Sequence, residues 1–303
     1  MHKHTLIVIL GATATGKTAV GLHLAEALNA PVISADSRQL YRELKIGTAA
    51  PTISELSRAP HYFIGTQSIH DDTYNAGQYE SDVLRLLDKL FLIHRSALLV
   101  GGSMMYIDAV CYGIDELPNV DSKTRNFWKN EYKEKGLEYI RLKLKETDPN
   151  HFETVDKNNP KRLLHALEIC SIAGKPYSDL LTGQKKERPF NILKIGLEFP
   201  REELYARIDN RVDQMIRKGL IGEAQKYYPF KQLNALNTVG YKELYRHIDG
   251  TITLEEAIDK IKCDSRRYAK RQITWFKKDK DVRWFHPDRK EEIVQYINEN
   301  LSA

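Results

Sequence analysis

The sequence predicts an α/β protein, a parallel sheet flanked by helices and interrupted by an all-helical insertion. Three observations predict it. Short apolar runs at 6–10, 32–35 and 97–100 alternate with longer amphipathic stretches, the rhythm of strand, crossover helix and strand. Gly11-Ala12-Thr13-Ala14-Thr15-Gly16-Lys17-Thr18 follows the first run directly and fits GxxxxGK[ST], which makes the sheet P-loop NTPase-like. From about Leu117 to Pro189 strand signals vanish, and charged helical sequence broken by Pro118, Pro149, Pro160 and Pro176 replaces them. The expected organisation is therefore a core in two parts, 1–116 and 191–303, around a helical insertion at 117–190.

Each element has its own signal. Val20, Leu24 and Leu28 recur every four residues and mark the buried stripe of a helix from about Lys17 to Asn29. The apolar run ending at Ala35 predicts a second strand, with Asp36 and Ser37 at its C-terminal end, the edge where ligands sit in open parallel sheets. An amphipathic pattern covers 78–94, and Ala97–Val100 reads as a third strand closed by Gly101-Gly102-Ser103. A strand returns at 191–199, and a helix over 202–218 carries Leu204, Ile208, Val212 and Met215 inward. Thr253 with Glu256 forms a capping-box signal for a helix reaching at least Trp275, and 282–285 suits a last strand.

Composition narrows the function classes. The net charge is only +5, but basic residues crowd 123–145, 157–188 and 262–280, which suggests a polyanionic partner. Three lone cysteines show no CxxC spacing, so neither a disulfide framework nor a zinc site is indicated. No stretch approaches the ~20 apolar residues of a membrane span, and the chain is expected to be a cytoplasmic monomer without membrane contact.

The chemistry centres on phosphate. A P-loop turns backbone N–H groups onto phosphate oxygens, adds Lys17 as a point charge and offers the Thr18 hydroxyl to Mg²⁺, so a ligand with at least a diphosphate is expected. A Walker B acid is missing where the third strand ends in Gly-Gly-Ser. Asp36 stands instead after the second strand, where it suits a general base, with an Asx turn or helix cap as the alternative. Arg207 and Arg211, four residues apart on one helix, can converge on one anion or form surface ion pairs with Glu203 or Asp209. In 266–278 the basic residues suit a phosphate backbone, and Tyr268 and Trp275 are assigned to packing.

Several strings together resemble the bacterial tRNA dimethylallyltransferases: GATATGKT, Asp36-Ser37-Arg38-Gln39-Leu40-Tyr41, Ile46-Gly47-Thr48-Ala49, Gly101-Gly102-Ser103-Met104-Met105-Tyr106, Asn159-Pro160-Lys161-Arg162-Leu163, Val239-Gly240-Tyr241 and Ala269-Lys270-Arg271-Gln272-Ile273-Thr274-Trp275. The resemblance implies transfer of a dimethylallyl group from dimethylallyl diphosphate to the exocyclic amine of the adenosine just 3′ of the anticodon, in tRNAs reading codons that begin with U. It implies that Gly11 to Thr18 hold the diphosphate with Mg²⁺, that Asp36 is the base, and that Ser103 bonds the bridging or leaving oxygen. One of Arg207 and Arg211 would add a diphosphate contact. Asp36, Ser37, Arg38 and Gln39 would meet the target nucleotide, and Arg125, Lys161, Arg162, Leu163, Leu164 and His165 would touch the anticodon arm. The chain departs from the family at Ala50, where Lys is common, and at Ala12, where Pro is common. An ATP-dependent small-molecule kinase is the alternative that the P-loop alone permits.

Overall fold

A computed structural model describes residues 4–71 and 74–302. In chain order its elements are β1 (Thr5–Gly11), α1 (Lys17–Leu28), β2 (Val32–Ala35), α2 (Ile53–Leu56), β3 (His61–Tyr62), α3 (Ala76–Leu90), β4 (Ser96–Gly101) and α4 (Met104–Tyr112). The helices α5 (Ser122–Thr147), α6 (Pro149–Thr154) and α7 (Pro160–Ala173) follow. The chain then returns to β5 (Asn191–Leu197), α8 (Arg201–Arg217), α9 (Leu220–Tyr227), α10 (Tyr241–Ile248), α11 (Leu254–Phe276), β6 (Val282–Phe285) and α12 (Lys290–Ser302).

The six strands pair in parallel in the order β3-β2-β4-β1-β5-β6. On β1, Leu6, Val8 and Leu10 enter one core with Val83 and Leu87 of α3 and Ile107 and Val110 of α4. Ile7 and Ile9 enter the opposite core with Val20 and Leu24 of α1 and Ile293 and Ile297 of α12. Burial on both faces explains why these strands read as continuous apolar runs instead of alternating ones. This is the expected P-loop NTPase-like sheet flanked by helices.

One compact unit comprises Met1–Tyr112 with Glu187–Ala303, and the other is Gly113–Lys186. The second unit is helical and has its own core of Trp128, Ile140, Leu144, Leu163, Ala166 and Leu167. Its long helix α5 is interrupted at Gly136, whose φ of 77° lies in the left-handed region. In the first unit the return to β5 is fastened by Arg188, which donates to the Ala109 and Val110 carbonyls and meets Glu80 at 2.8 Å, both side chains being buried.

Two expectations shift. The helix expected to run to His94 ends at Leu90, because the N–H groups of Ile93 and His94 both turn back to the Leu90 carbonyl so that the chain can enter β4. The strand expected over 191–199 ends at Leu197, two residues before Phe199 leaves the sheet to pack under the P-loop. Among the described residues all three cysteines are free thiols, and no cluster of His, Cys, Asp or Glu could hold a metal ion. No helix among them is long and apolar enough to cross a membrane.

Candidate active site

The loop between β1 and α1 takes its shape from backbone that glycine permits. A Cβ on Gly11 would meet the Leu197 carbonyl at 2.6 Å, and Gly16 turns the chain into α1 at φ 82°. Helix α1 has no side-chain cap and no acidic residue in its first turn, so its amino-terminal N–H groups and dipole are left for an anion. Ala12 is buried against Phe199, Leu204, Ile208 and Ala269, which seats the loop on α8 and α11. Its carbonyl accepts from the Thr15 hydroxyl at 2.8 Å and the Lys17 ammonium at 2.6 Å.

Lys17 is set to respond to an anion. Burial chiefly, then the nearby Arg211, bring its pKa down to about 7, while Asp36 opposes the shift. The Arg211 guanidinium is itself made less basic by burial and supported by Asp36. Lys17, Arg211 and Asp36 therefore converge on one place. Arg207 has a different position: it is exposed, donates from Nε to the Ala14 carbonyl at 3.1 Å and lies 4.2 Å from the Phe199 ring centre. Arg211 is near enough to Lys17 and Asp36 for its charge to act on both, whereas Arg207 is bonded to the loop at the Ala14 carbonyl. Neither pairs with Asp209, which is held by Arg266 at 2.5 Å.

Asp36 is half-buried just beyond β2. Its Oδ1 accepts from the N–H groups of Arg38 at 2.9 Å and Gln39 at 3.4 Å, so the Asx turn weighed as an alternative is present. Among the described residues Oδ2 has no hydrogen-bond partner, so turn formation leaves one oxygen for chemistry. The neighbours of Asp36 are splinted. Ser37 N–H donates to Ser103 Oγ at 2.8 Å, and the two hydroxyls meet at 3.2 Å. Arg38 Nη1 reaches the carbonyls of Asn234 and Ala235, and Gln39 Nε2 those of Thr48 and Ala49. The Gln39 amide oxygen takes the Ser34 hydroxyl at 3.3 Å.

Strand β4 lies between β1 and β2, and its last residue, Gly101, lets it pack closely on the end of β2 that precedes Asp36. A Cβ on Gly101 would stand 2.1 Å from the Ala35 carbonyl oxygen. Thr18 and Asp36 line the same cavity, whose walls include Leu22, Val32, Pro51 and Val100. A hydroxyl and a carboxylate are the hard oxygen donors Mg²⁺ takes when most of its remaining ligands are water and phosphate.

Two residues to which the sequence assigned no role hold the site together. Gln272, 2% exposed, accepts from Thr13 N–H at 2.8 Å and donates to the Gly102 carbonyl at 2.7 Å. The Glu223 carboxylate accepts from the N–H groups of Lys45, Ile46 and Gly47 at 2.9–3.1 Å and from the Tyr241 hydroxyl at 2.6 Å. Glu223 thus joins the Ile46-Gly47-Thr48 and Val239-Gly240-Tyr241 strings. Gly47 is required there, since a Cβ would meet the Tyr241 ring at 2.6 Å.

On α11, Tyr268 and Trp275 are not core anchors. Trp275 is 36% exposed and donates its indole N–H to Asp108 at 2.8 Å. Burial first and the Asp36 charge second push the Tyr268 phenol up to about 12, which puts the ring beside the base. Of the basic residues, Arg266, Arg267 and Lys277 are tied to Asp209, Asp264 and Glu198, whereas Lys270 and Arg271 are exposed without an ion pair among the described residues. The cause is the mixed charge of the neighbouring helix faces.

In the helical unit, α7 starts at the Asn159 cap and Pro160, with Lys161 and Arg162 exposed in a first turn that holds no acid. Two cations at the positive end of a helix dipole repel it unless an anion is present. His165 is exposed one turn further, and Arg125 is half-buried on α5. Leu163 is fully buried in the core of this unit and Leu164 packs beside it, so an RNA contact through the Leu163 side chain does not hold. The helical period turns that position inward.

A family model described as IPP transferase matches residues 39–279. The tRNA dimethylallyltransferase 1 of Phocaeicola vulgatus is 54% identical over 294 residues, 97% of this chain and 98% of that protein. The tRNA dimethylallyltransferase 1 of Bacteroides fragilis is 52% identical over 301 residues, 99% of this chain and 100% of that one. The solved tRNA isopentenylpyrophosphate transferase of Bacillus halodurans superimposes with a TM-score of 0.73 at 36% identity, covering 99% of this chain and 97% of its own. These relatives favour a transferase over the kinase alternative. With the P-loop and Asp36 at the carboxyl ends of β1 and β2, and with these likenesses over nearly the whole length, the chain is a transferase that belongs to the IPP transferase family.

Proposed function

We propose that the chain transfers a dimethylallyl group from dimethylallyl diphosphate to the exocyclic amine of the adenosine immediately 3′ of the anticodon, in tRNAs reading codons that begin with U. The observation that carries the reading is that Lys17 and Thr18 of the P-loop line one cavity with Asp36, an acid at the end of β2 and not of β4, with Arg211 acting on the charges of both Lys17 and Asp36. The amine lone pair attacks the allylic carbon, the carbon–oxygen bond breaks towards the diphosphate, and Asp36 takes the amine proton. Negative charge grows on the departing diphosphate, so preorganised donors there stabilise the transition state more than the ground state. Those donors are the loop N–H groups that follow Thr13, whose own N–H is taken by Gln272, together with Lys17 and Arg211, with Arg207 bonded to the loop at Ala14. The Thr18 hydroxyl would hold Mg²⁺, which would supply further positive charge to the leaving group. Ser103 fixes the Asp36 turn through Ser37.

The acceptor is a single-stranded loop of RNA, whose base can be splayed out at lower cost than from a duplex. Ser37, Arg38 and Gln39 present the backbone of the turn that meets it, while Arg125, Lys161, Arg162 and His165 meet the anticodon arm. The protein acts as a cytoplasmic monomer. The test incubates purified protein, Mg²⁺, unmodified tRNA and radiolabelled dimethylallyl diphosphate, beside an ATP turnover assay. Label is expected in tRNA with wild-type protein and to fall by ~10²–10⁴-fold in Asp36→Ala, the usual worth of a positioned base. ATP turnover without labelled tRNA would overturn the reading.

A further inference from the structure

The diphosphate cradle and the turn that carries Ser103 belong to different segments, and one buried side chain spans them. Gln272 comes from α11, 259 residues after Thr13 and 170 after Gly102. Its amide oxygen receives the Thr13 N–H, and its amide nitrogen donates to the Gly102 carbonyl. The fit is close on the glycine side, where a Cβ on Gly102 would stand 2.5 Å from Gln272 Nε2. Only a primary amide of this length offers an acceptor and a donor in one plane. Glutamate would oppose the Gly102 carbonyl, and an aliphatic side chain would leave a buried N–H and C=O unpaired.

We propose that Gln272 is a positioning residue for the diphosphate: it fixes the spacing between the first half of the P-loop and the Gly102–Ser103 turn. It commits the Thr13 N–H to the protein, so that the loop's phosphate-facing donors are those that follow it. The same helix presents Lys270 and Arg271 outward, so one rigid element sets the cradle from within and carries charge outside. The proposal rests on the prenyl-transfer reading above.

The test compares wild type, Gln272→Met, Gly102→Ala and the double variant as full-length proteins. Gln272→Met conserves volume and removes both bonds, and Gly102→Ala displaces the same amide from the other side. Each single variant is expected to raise KM for dimethylallyl diphosphate by at least tenfold while KM for tRNA stays within about threefold, and the double variant is expected to be no worse than the worse single. Calorimetric titration with dimethylallyl diphosphate alone should show the same loss of affinity. A residue that served folding only would lower the active fraction, and hence kcat, with both KM values unchanged; that result, or equal rises in both KM values, would overturn the proposal. Failure of wild type to label tRNA would instead strike the functional reading. Should Gln272→Met not fold, Gly102→Ala and its diphosphate titration decide the matter.

Discussion

Lys17 shows how a loop prepares one charge for its ligand. Its pKa stands near 7 because burial and Arg211 both disfavour the ammonium. The sign follows from proton counting. Between about pH 7 and the ordinary lysine value the unfolded chain holds a proton that the folded chain does not, so the destabilisation from burying this group is full below about pH 7 and is relieved as pH rises across that window. A bound diphosphate restores the charge. At pH 8, binding of dimethylallyl diphosphate should therefore take up about one proton, seen as a buffer-dependent heat in calorimetry that disappears in Lys17→Met. A heat independent of buffer ionisation would remove Lys17 from the ligand. Lys17 and Asp36 were legible because their meaning lies in local spacing to a strand end. Gln272 carried no such mark, although it sits on the helix stripe of Ala269 and Phe276, where a buried amide must find partners.

At the scale of elements, the loop 45–49 is held from a helix far along the chain. The carboxylate of Glu223 gathers three consecutive N–H groups, and the loop in turn gives its carbonyls to Gln39 beside Asp36. Glu223→Ala leaves those donors without their acceptor and should cost about 1–3 kcal/mol. Hydrogen exchange of the Lys45, Ile46 and Gly47 amides should accelerate with it, and unchanged exchange would show the loop to be held otherwise. The sequence marked Ile46-Gly47-Thr48 and Val239-Gly240-Tyr241 as strings but not as partners. Strand and helix positions, by contrast, followed from periodicity, and α3 ended early only because the entry to β4 required a turn that no Gly or Pro announces.

At the scale of the molecule, the basic runs separate by environment. Lys161 and Arg162 stand exposed on an uncompensated helix start, whereas Arg266 and Arg267 are spent on aspartates. Replacing Lys161 or Arg162 by Ala should weaken tRNA binding and lower the slope of log affinity against log salt by about one for each. Filter binding over a range of salt checks this, and an unaltered slope would take the residue off the interface. By itself the sequence determined the parallel α/β sheet, the P-loop, the helical stretch and the place of Asp36, because each depends on periodicity or spacing within one segment. Only the tertiary structure decided that Arg211 and not Arg207 faces Lys17, that Leu163 turns inward, and that Gln272 and Glu223 splint the site. Those facts depend on which distant segments share a buried space, where unpaired polar groups are costly and each donor must meet an acceptor.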